Sequence, residues 1–421
     1  MILRGLGAVA PAQGVQRLAQ SLQWPSLSSR LHRFARDHRV GLGSFATLYV
    51  KASCAMSTMA SVKMNEDVKF VALPDGRRIA YREQGLGKET AKRSLLVLHG
   101  LGSSRVAGMP GVSESLLKEM GVRFVSIDRP GYGLSDFNPK QTFESAAKDV
   151  AHVADALELG QKIWLLGYSC GGAYCWGAAR YIPERIAGIA MWAPVGNYSW
   201  KGISESERTK LIANITPRSR STYGIVQRVP KWMLYAYVRY FIVPSVGAKW
   251  VEDAKNRLAP PDAQNLREIS GDIMERDSIE SAKQKGKGMA QDLLLISGDW
   301  GFELSDVQDV YQGSIHIFNG DQDLLVPLGL QQCIKKVLPD LVHLHDLEGE
   351  GHISAFCCND KIHRETLECL FGGVGTTGEM DADKLDMGSE EQNGNQKVQN
   401  GSIVSETIKE GTSALNAPYL H

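Results

Sequence analysis

The sequence predicts an α/β fold, a mostly parallel sheet with helices on both faces, interrupted by a helical insertion. Two observations carry this. Short runs that are apolar on both faces, the pattern of buried parallel strands, alternate with stretches of helical periodicity. That alternation stops at about Asn197 and resumes at Ser314. A gap of this length inside a compact domain has to be a folded insertion rather than a loop. The boundaries expected are a core in two parts, 65–196 and 313–371, with a helical lid over 197–312 between them.

Taken in order, Val68–Leu73 and Arg78–Arg82 form a hairpin about the turn residues Pro74, Asp75 and Gly76. Ser94–Leu98 is a buried strand that ends at His99-Gly-Leu-Gly102, and Arg123–Ile127 is another, closed by Asp128-Arg-Pro-Gly-Tyr-Gly133. Phe143–Leu159 reads as a helix: Ala147, Val150, Val153, Ala154 and Leu157 share a face, and Gly160 stops it. Strand Ile163–Leu166 runs into Gly167-Tyr-Ser-Cys-Gly171, followed by helix Ala173–Tyr181 and strand Ile186–Trp192. In the insertion, Lys231–Val243 is flanked by prolines and carries aromatics nearly all round, as core packing or as an apolar ceiling over a pocket. Strands Ser314–Phe318 and Val342–Leu347 close the core.

The chemistry centres on Gly167-Tyr-Ser169-Cys-Gly171, a G-x-S-x-G motif between a strand and a helix. A turn this sharp strains the serine and lifts its hydroxyl above the carboxyl edge of the sheet, at a helix N-terminus that favours negative charge. A serine that merely caps the helix is the plain alternative. Serine attacks at neutral pH only if a base takes its proton, and the base needs an orienting acid. Asp323, in Gly320-Asp-Gln-Asp-Leu-Leu-Val-Pro327, and His352, in Gly349-Glu-Gly-His352, both follow strands. Asp321 competes for the acid's role, but it directly follows Gly320 and reads as a turn residue. The turn at His99–Gly102 offers the N–H of Leu101, which with the N–H of Cys170 would hold an oxyanion. His99 is then a loop-structuring residue.

These motifs, with Asp128-Arg-Pro-Gly-Tyr-Gly-Leu-Ser135 and Gly351-His352, resemble the α/β-hydrolase superfamily over roughly residues 67–371. The inserted segment, with Gly298-Asp-Trp-Gly-Phe302 and Gly313-Ser-Ile-His-Ile-Phe318, is similar to little-described plant members. The resemblance implies an eight-stranded sheet, a helical lid after the sixth strand and no cofactor. It implies Ser169 as nucleophile, His352 as general base then acid, and Asp323 as orienting carboxylate. A serine rather than an aspartate at the nucleophile position speaks against haloalkane dehalogenase or epoxide hydrolase chemistry. The expected activity is serine hydrolysis, carboxylesterase- or lipase-like, on the ester of a small to medium apolar substrate. A triad-retaining ligand receptor is the alternative.

Composition narrows the partners. The 421 residues hold 47 Lys+Arg and 47 Asp+Glu, and a neutral chain of this kind does not look like a nucleic-acid binder. Neutrality is a sum of unlike parts: residues 1–64 carry +7, residues 372–421 carry −5 and the stretch between carries −2. The acid-poor, Ser- and Arg-rich leader reads as a transit peptide to chloroplast or mitochondrion, with cytoplasm the alternative. The acidic, Gly/Ser/Asn-rich tail reads as disordered. No apolar run is long enough to span a bilayer. Seven cysteines without a CxxC pair suggest neither a disulfide framework nor a zinc site. His343 and His345 alternate on one strand face, but without a third ligand no metal is expected there.

Overall fold

The computed structural model describes residues 68–372, apart from 227, 257 and 269–271. The presumed leader and nearly all of the acidic tail lie outside the described residues. Strands β1 (Lys69–Ala72) and β2 (Arg78–Gly85) form the hairpin, and β2 pairs antiparallel with β4 (Val122–Ile127). Every other pairing is parallel, through β3 (Arg93–Leu98), β5 (Ile163–Tyr168), β6 (Ile186–Trp192), β7 (Ile315–Gly320) and β8 (Val342–Leu347). The eight strands stand in the order β1-β2-β4-β3-β5-β6-β7-β8. The fold is the mostly parallel eight-stranded α/β sheet expected. Leu95–Leu98 and Val122–Ile127 are buried throughout, which is why these strands read as unbroken apolar runs.

Helices cover both faces. Before the insertion come α1 (Glu114–Glu119), α2 (Phe143–Ala156) and α3 (Cys170–Tyr181). Thr142 and Ser145 form a capping box at the start of α2. Helix α3 begins three residues earlier than its periodicity suggests, because it starts at once after Ser169. Between β6 and β7 lies a helical cap: α4 (Glu205–Asn214), α5 (Pro217–Val226), α6 (Lys231–Tyr237), α7 (Ala248–Lys255), α8 (Pro260–Glu268), α9 (Asp272–Ser281), α10 (Lys287–Ile296) and α11 (Leu304–Gln308). After β7 come α12 (Leu328–Val337) and α13 (Asp360–Leu370). Among the described residues no helix is long and apolar enough to cross a membrane.

The aromatic segment of the cap packs on the core in part, Tyr235 lying against it beside the buried Leu234 and Val238. Helix α6 passes into a wide π turn at Val238–Ile242, and its deeply buried side chains are Leu234 and Val238. Trp232, Tyr240 and Phe241 are half-buried, and Tyr237 is exposed and stacked on Phe241. Rings on every side of a helix cannot all face one core, so the aliphatic stripe takes the buried side.

Candidate active site

Ser169 joins β5 to α3 with no loop between them. That junction forces it to φ 53° and ψ −115°, a conformation costing on the order of 1–3 kcal/mol for a residue with a Cβ. A Cβ on Gly171 would run into the carbonyl of Leu98, so glycine alone lets α3 pack this close to β3. The Ser169 side chain makes no capping bond to α3, so its hydroxyl is not spent on the helix. Cys170, the first residue of α3, has an N–H with no intrahelical acceptor. Burial, reinforced by the Asp292 charge, pushes its thiol well up and keeps it protonated. The turn after β3 lies against the serine: a Cβ on Gly100 would stand 3.4 Å from that of Ser169. Leu101 follows in that turn, its side chain 40% exposed.

Parallel neighbours β7 and β8 bring the other two candidates together. His352 Nδ1 and Asp323 Oδ2 are 2.7 Å apart, and both residues are buried. A carboxylate only accepts, so Nδ1 carries the proton and Nε2 the lone pair. Asp323 Oδ1 accepts the N–H groups of Leu325 and Val326 at 2.8 and 2.9 Å, which fixes the carboxylate. Asp321 is engaged elsewhere, accepting the Gly349 N–H at 2.8 Å in an exposed turn. The Tyr168 hydroxyl donates to the His352 carbonyl at 3.0 Å, so the residue before Ser169 props the histidine loop. Burial opposes protonation of His352, yet the Asp323 charge and hydrogen bond, with Asp262 adding to them, raise its pKa above the ordinary value.

The cap takes a direct part, through residues not foreseen in the sequence. Asp262 on α8 is 1% exposed and accepts three successive backbone N–H groups of the histidine loop: His352 at 3.0 Å, Ile353 at 2.7 Å and Ser354 at 2.9 Å. On α9, Asp277 accepts from the N–H groups of Ser104 and Ala107 after the β3 turn, at 2.8 and 3.2 Å. Burial pushes its carboxyl up to about 7 against the lowering pull of these bonds and those of the Ser103 and Ser104 side chains. Glu280, also on α9, pairs with Arg105 at 2.7 Å, which pairs in turn with Asp128 at 2.6 Å. Asp292 on α10 pairs with Arg129 at 2.8 Å and accepts from the hydroxyls of Tyr132 and Tyr174 and the thiol of Cys170. The Asp128–Ser135 motif thus anchors the cap rather than supplying a reacting group. One signal was available: Asp292 directly precedes the apolar run Leu293–Ile296 of its helix, with no cation three or four residues away to pair with it. Asp262 gave none, because an acid near a helix start looks ordinary.

His99 is fully engaged beneath the turn. Its ring contacts the Gly100 carbonyl through Nδ1 at 2.8 Å and the Arg129 N–H through Nε2 at 3.0 Å. Burial and the Arg129 charge hold its pKa well below the ordinary value, so it is neutral and structural. A cavity of about 620 Å³, lined by Asn197, Trp200, Val226, Leu294 and Glu303 among others, touches none of Ser169, Asp323 and His352. Its size alone does not make it the reacting site. The cap presents apolar surface to the turn after β3, where Met289 lies 3.1 Å from a Cβ on Gly102, and further along the cap Tyr223 packs with Tyr198.

A strained serine on a strand–helix junction and a buried His–Asp pair, both at the carboxyl edge of one mostly parallel sheet, define a class of α/β protein. Residues 93–356, more than half of the chain, match the family model described as alpha/beta hydrolase fold, and the chain belongs to that family. It is 29% identical over 152 residues to a 2-hydroxy-6-oxononadienedioate/2-hydroxy-6-oxononatrienedioate hydrolase of Escherichia coli, covering 33% of this chain and 51% of the relative. The chain spans about half the length of the curated relatives it matches. Among solved structures it is similar to a bromoperoxidase from Bacillus anthracis (TM-score 0.53, 20% identity, 73% of this chain and 100% of that one). A hydrolase from Pseudomonas aeruginosa is comparable (TM-score 0.50, 17% identity, 74% and 100%). At such identities these structures speak for the fold alone.

Proposed function

We propose that this protein is a serine hydrolase acting on the carboxylic ester of a small to medium apolar substrate. The observation that carries the reading is the conjunction of a strained, uncapped Ser169 with the buried His352–Asp323 pair on the same sheet edge. Ser169 Oγ attacks the acyl carbon while His352 Nε2 takes its proton, and Asp323 holds the ring and offsets the imidazolium charge. The N–H groups of Leu101 and Cys170 receive the oxyanion, an arrangement in which each donor is worth about 10²–10³ in turnover. His352 then gives the proton to the leaving alcohol. Water, deprotonated by His352 in its turn, releases the acid from the acyl-serine. No step calls for a cofactor, and the apolar cap surface around Met289 and Tyr223 supports an apolar substrate.

A second reading has one observation in its favour. The Escherichia coli relative bears the name of a keto dicarboxylate hydrolase, which supports cleavage beside a ketone by the same residues. Fluorophosphonate labelling and an ester panel, run on wild type and Ser169→Ala, test the proposal. Label and ester turnover are expected in the wild type and lost in Ser169→Ala, with circular dichroism unchanged. Turnover surviving in the variant would remove Ser169 from the mechanism. Labelling with no ester turned over would favour a ligand receptor, unless product analysis on 2-hydroxy-6-oxo dienoic acids shows carbon–carbon cleavage.

A further inference from the structure

The edge of the sheet carries a second cluster that the reaction above does not use. His343 and His345 share a face of β8 because strand side chains alternate, and parallel pairing sets His316 of β7 opposite His343. Cys369, near the end of α13, completes the group. A nitrogen or sulfur atom from each of His316, His345 and Cys369 lies within 4.8 Å of the others, and all three residues are half-buried. His316 Nδ1 and His345 Nε2 are 3.2 Å apart.

That spacing fits metal ligation. Two nitrogens each about 2.0–2.1 Å from a tetrahedral ion are separated by about 3.3–3.4 Å, so the imidazoles already span one edge of a coordination tetrahedron. A sulfur at about 2.3 Å needs a nitrogen neighbour at about 3.6 Å, and the Cys369 sulfur stands no more than 4.8 Å from either imidazole. Two imidazoles and a thiol favour zinc over magnesium or calcium, which prefer oxygen. Glu365, one helical turn before Cys369, acts electrostatically on both it and His345 and so adds a negative charge near the cluster.

We propose that His316, His345 and Cys369 form a zinc site that clips β7, β8 and α13 together. Binding displaces the Cys369 thiol proton to solvent and leaves a thiolate–zinc bond. The ion would brace the two strands whose ends release Asp323 and His352, without touching either. The partners of His345 were invisible in the sequence because they come from other elements: His316 lies 29 positions before it and Cys369 24 after it, neither at a motif spacing.

The test uses the full chain without a histidine tag, freed of metal by chelation. Cobalt titration is expected to give a thiolate-to-metal charge-transfer band saturating at one ion per chain. Zinc is expected to raise the melting temperature. Cys369→Ser and His345→Gln should each lose the band or weaken binding at least about tenfold, while Cys333→Ser keeps both responses. Circular dichroism of the metal-free variants separates lost ligation from lost folding, and His316→Gln provides a third ligand deletion should one variant fail to fold. Absence of the band, or a band that survives Cys369→Ser, would overturn the site. Neither result bears on Ser169 labelling, so the two proposals stand or fall separately.

Discussion

Ser169 and His352 show how local geometry sets chemical state. The serine is strained because strand and helix meet at a single residue, and the histidine is buried yet held toward its protonated form by two carboxylates. The base must be neutral to accept the serine proton. A raised pKa extends the protonated, inactive form to higher pH, so turnover should fall with decreasing pH through a value above the ordinary histidine 6.5. A pH–rate profile of kcat/KM measures it, and an acid limb well below 6.5 would argue against His352 as the base. The serine motif, Asp323 and His352 were all legible as residues, since each is a short pattern at a strand end. The pairing of His352 with Asp323 rather than Asp321 was a preference from turn chemistry, and the 2.7 Å contact is a fact of packing.

At the scale of elements, three cap helices each lower a buried carboxylate onto a loop of the candidate site. Helix α8 reaches the histidine loop, α9 the turn after β3, and α10 the base of the nucleophile helix. The α8 contact offers a clean test. Asp262→Asn keeps one carbonyl acceptor but removes the charge and loses at least one of the three N–H bonds. The acid limb of the pH–rate profile should move to lower pH, because the charge that helps to raise the His352 pKa is gone. The kcat should drop about tenfold, more than KM changes, as expected when a misplaced base rather than lost substrate contact is responsible. A variant with lower activity and an unmoved profile would assign Asp262 a purely structural part. The helices themselves were legible where periodicity was strong, as at Phe143–Ala156. Their docking was not, since a helix's apolar stripe specifies that it packs but not on which loop.

For the molecule as a whole, the cap is bonded to the core through charge as well as apolar contact. Arg129 and Asp292 are each about 2% exposed, so neither is hydrated if the other is removed. Asp292→Ala should destabilise the fold by about 3–5 kcal/mol, read as a lower urea midpoint, because a buried guanidinium is left without its counter-charge. Arg129→Met with Asp292→Leu should recover much of that loss, as apolar pairs of similar volume often do. A cap that merely rests on the core would show neither effect.

The sequence by itself determined the α/β class, the strands in their order, the place of the insertion and a serine, an acid and a histidine at strand ends. These follow from side-chain alternation, turn residues and close-approach glycines, which act over a few positions of chain. Only the tertiary structure decided which carboxylates face which loops and which histidines share a cluster with Cys369. Arg129 and Asp292 are separated by 163 positions, and Asp262 and His352 by 90. No local preference encodes such a meeting. It exists because the sheet closes in one order and the cap folds back over it, and burial then makes each of those polar contacts obligatory.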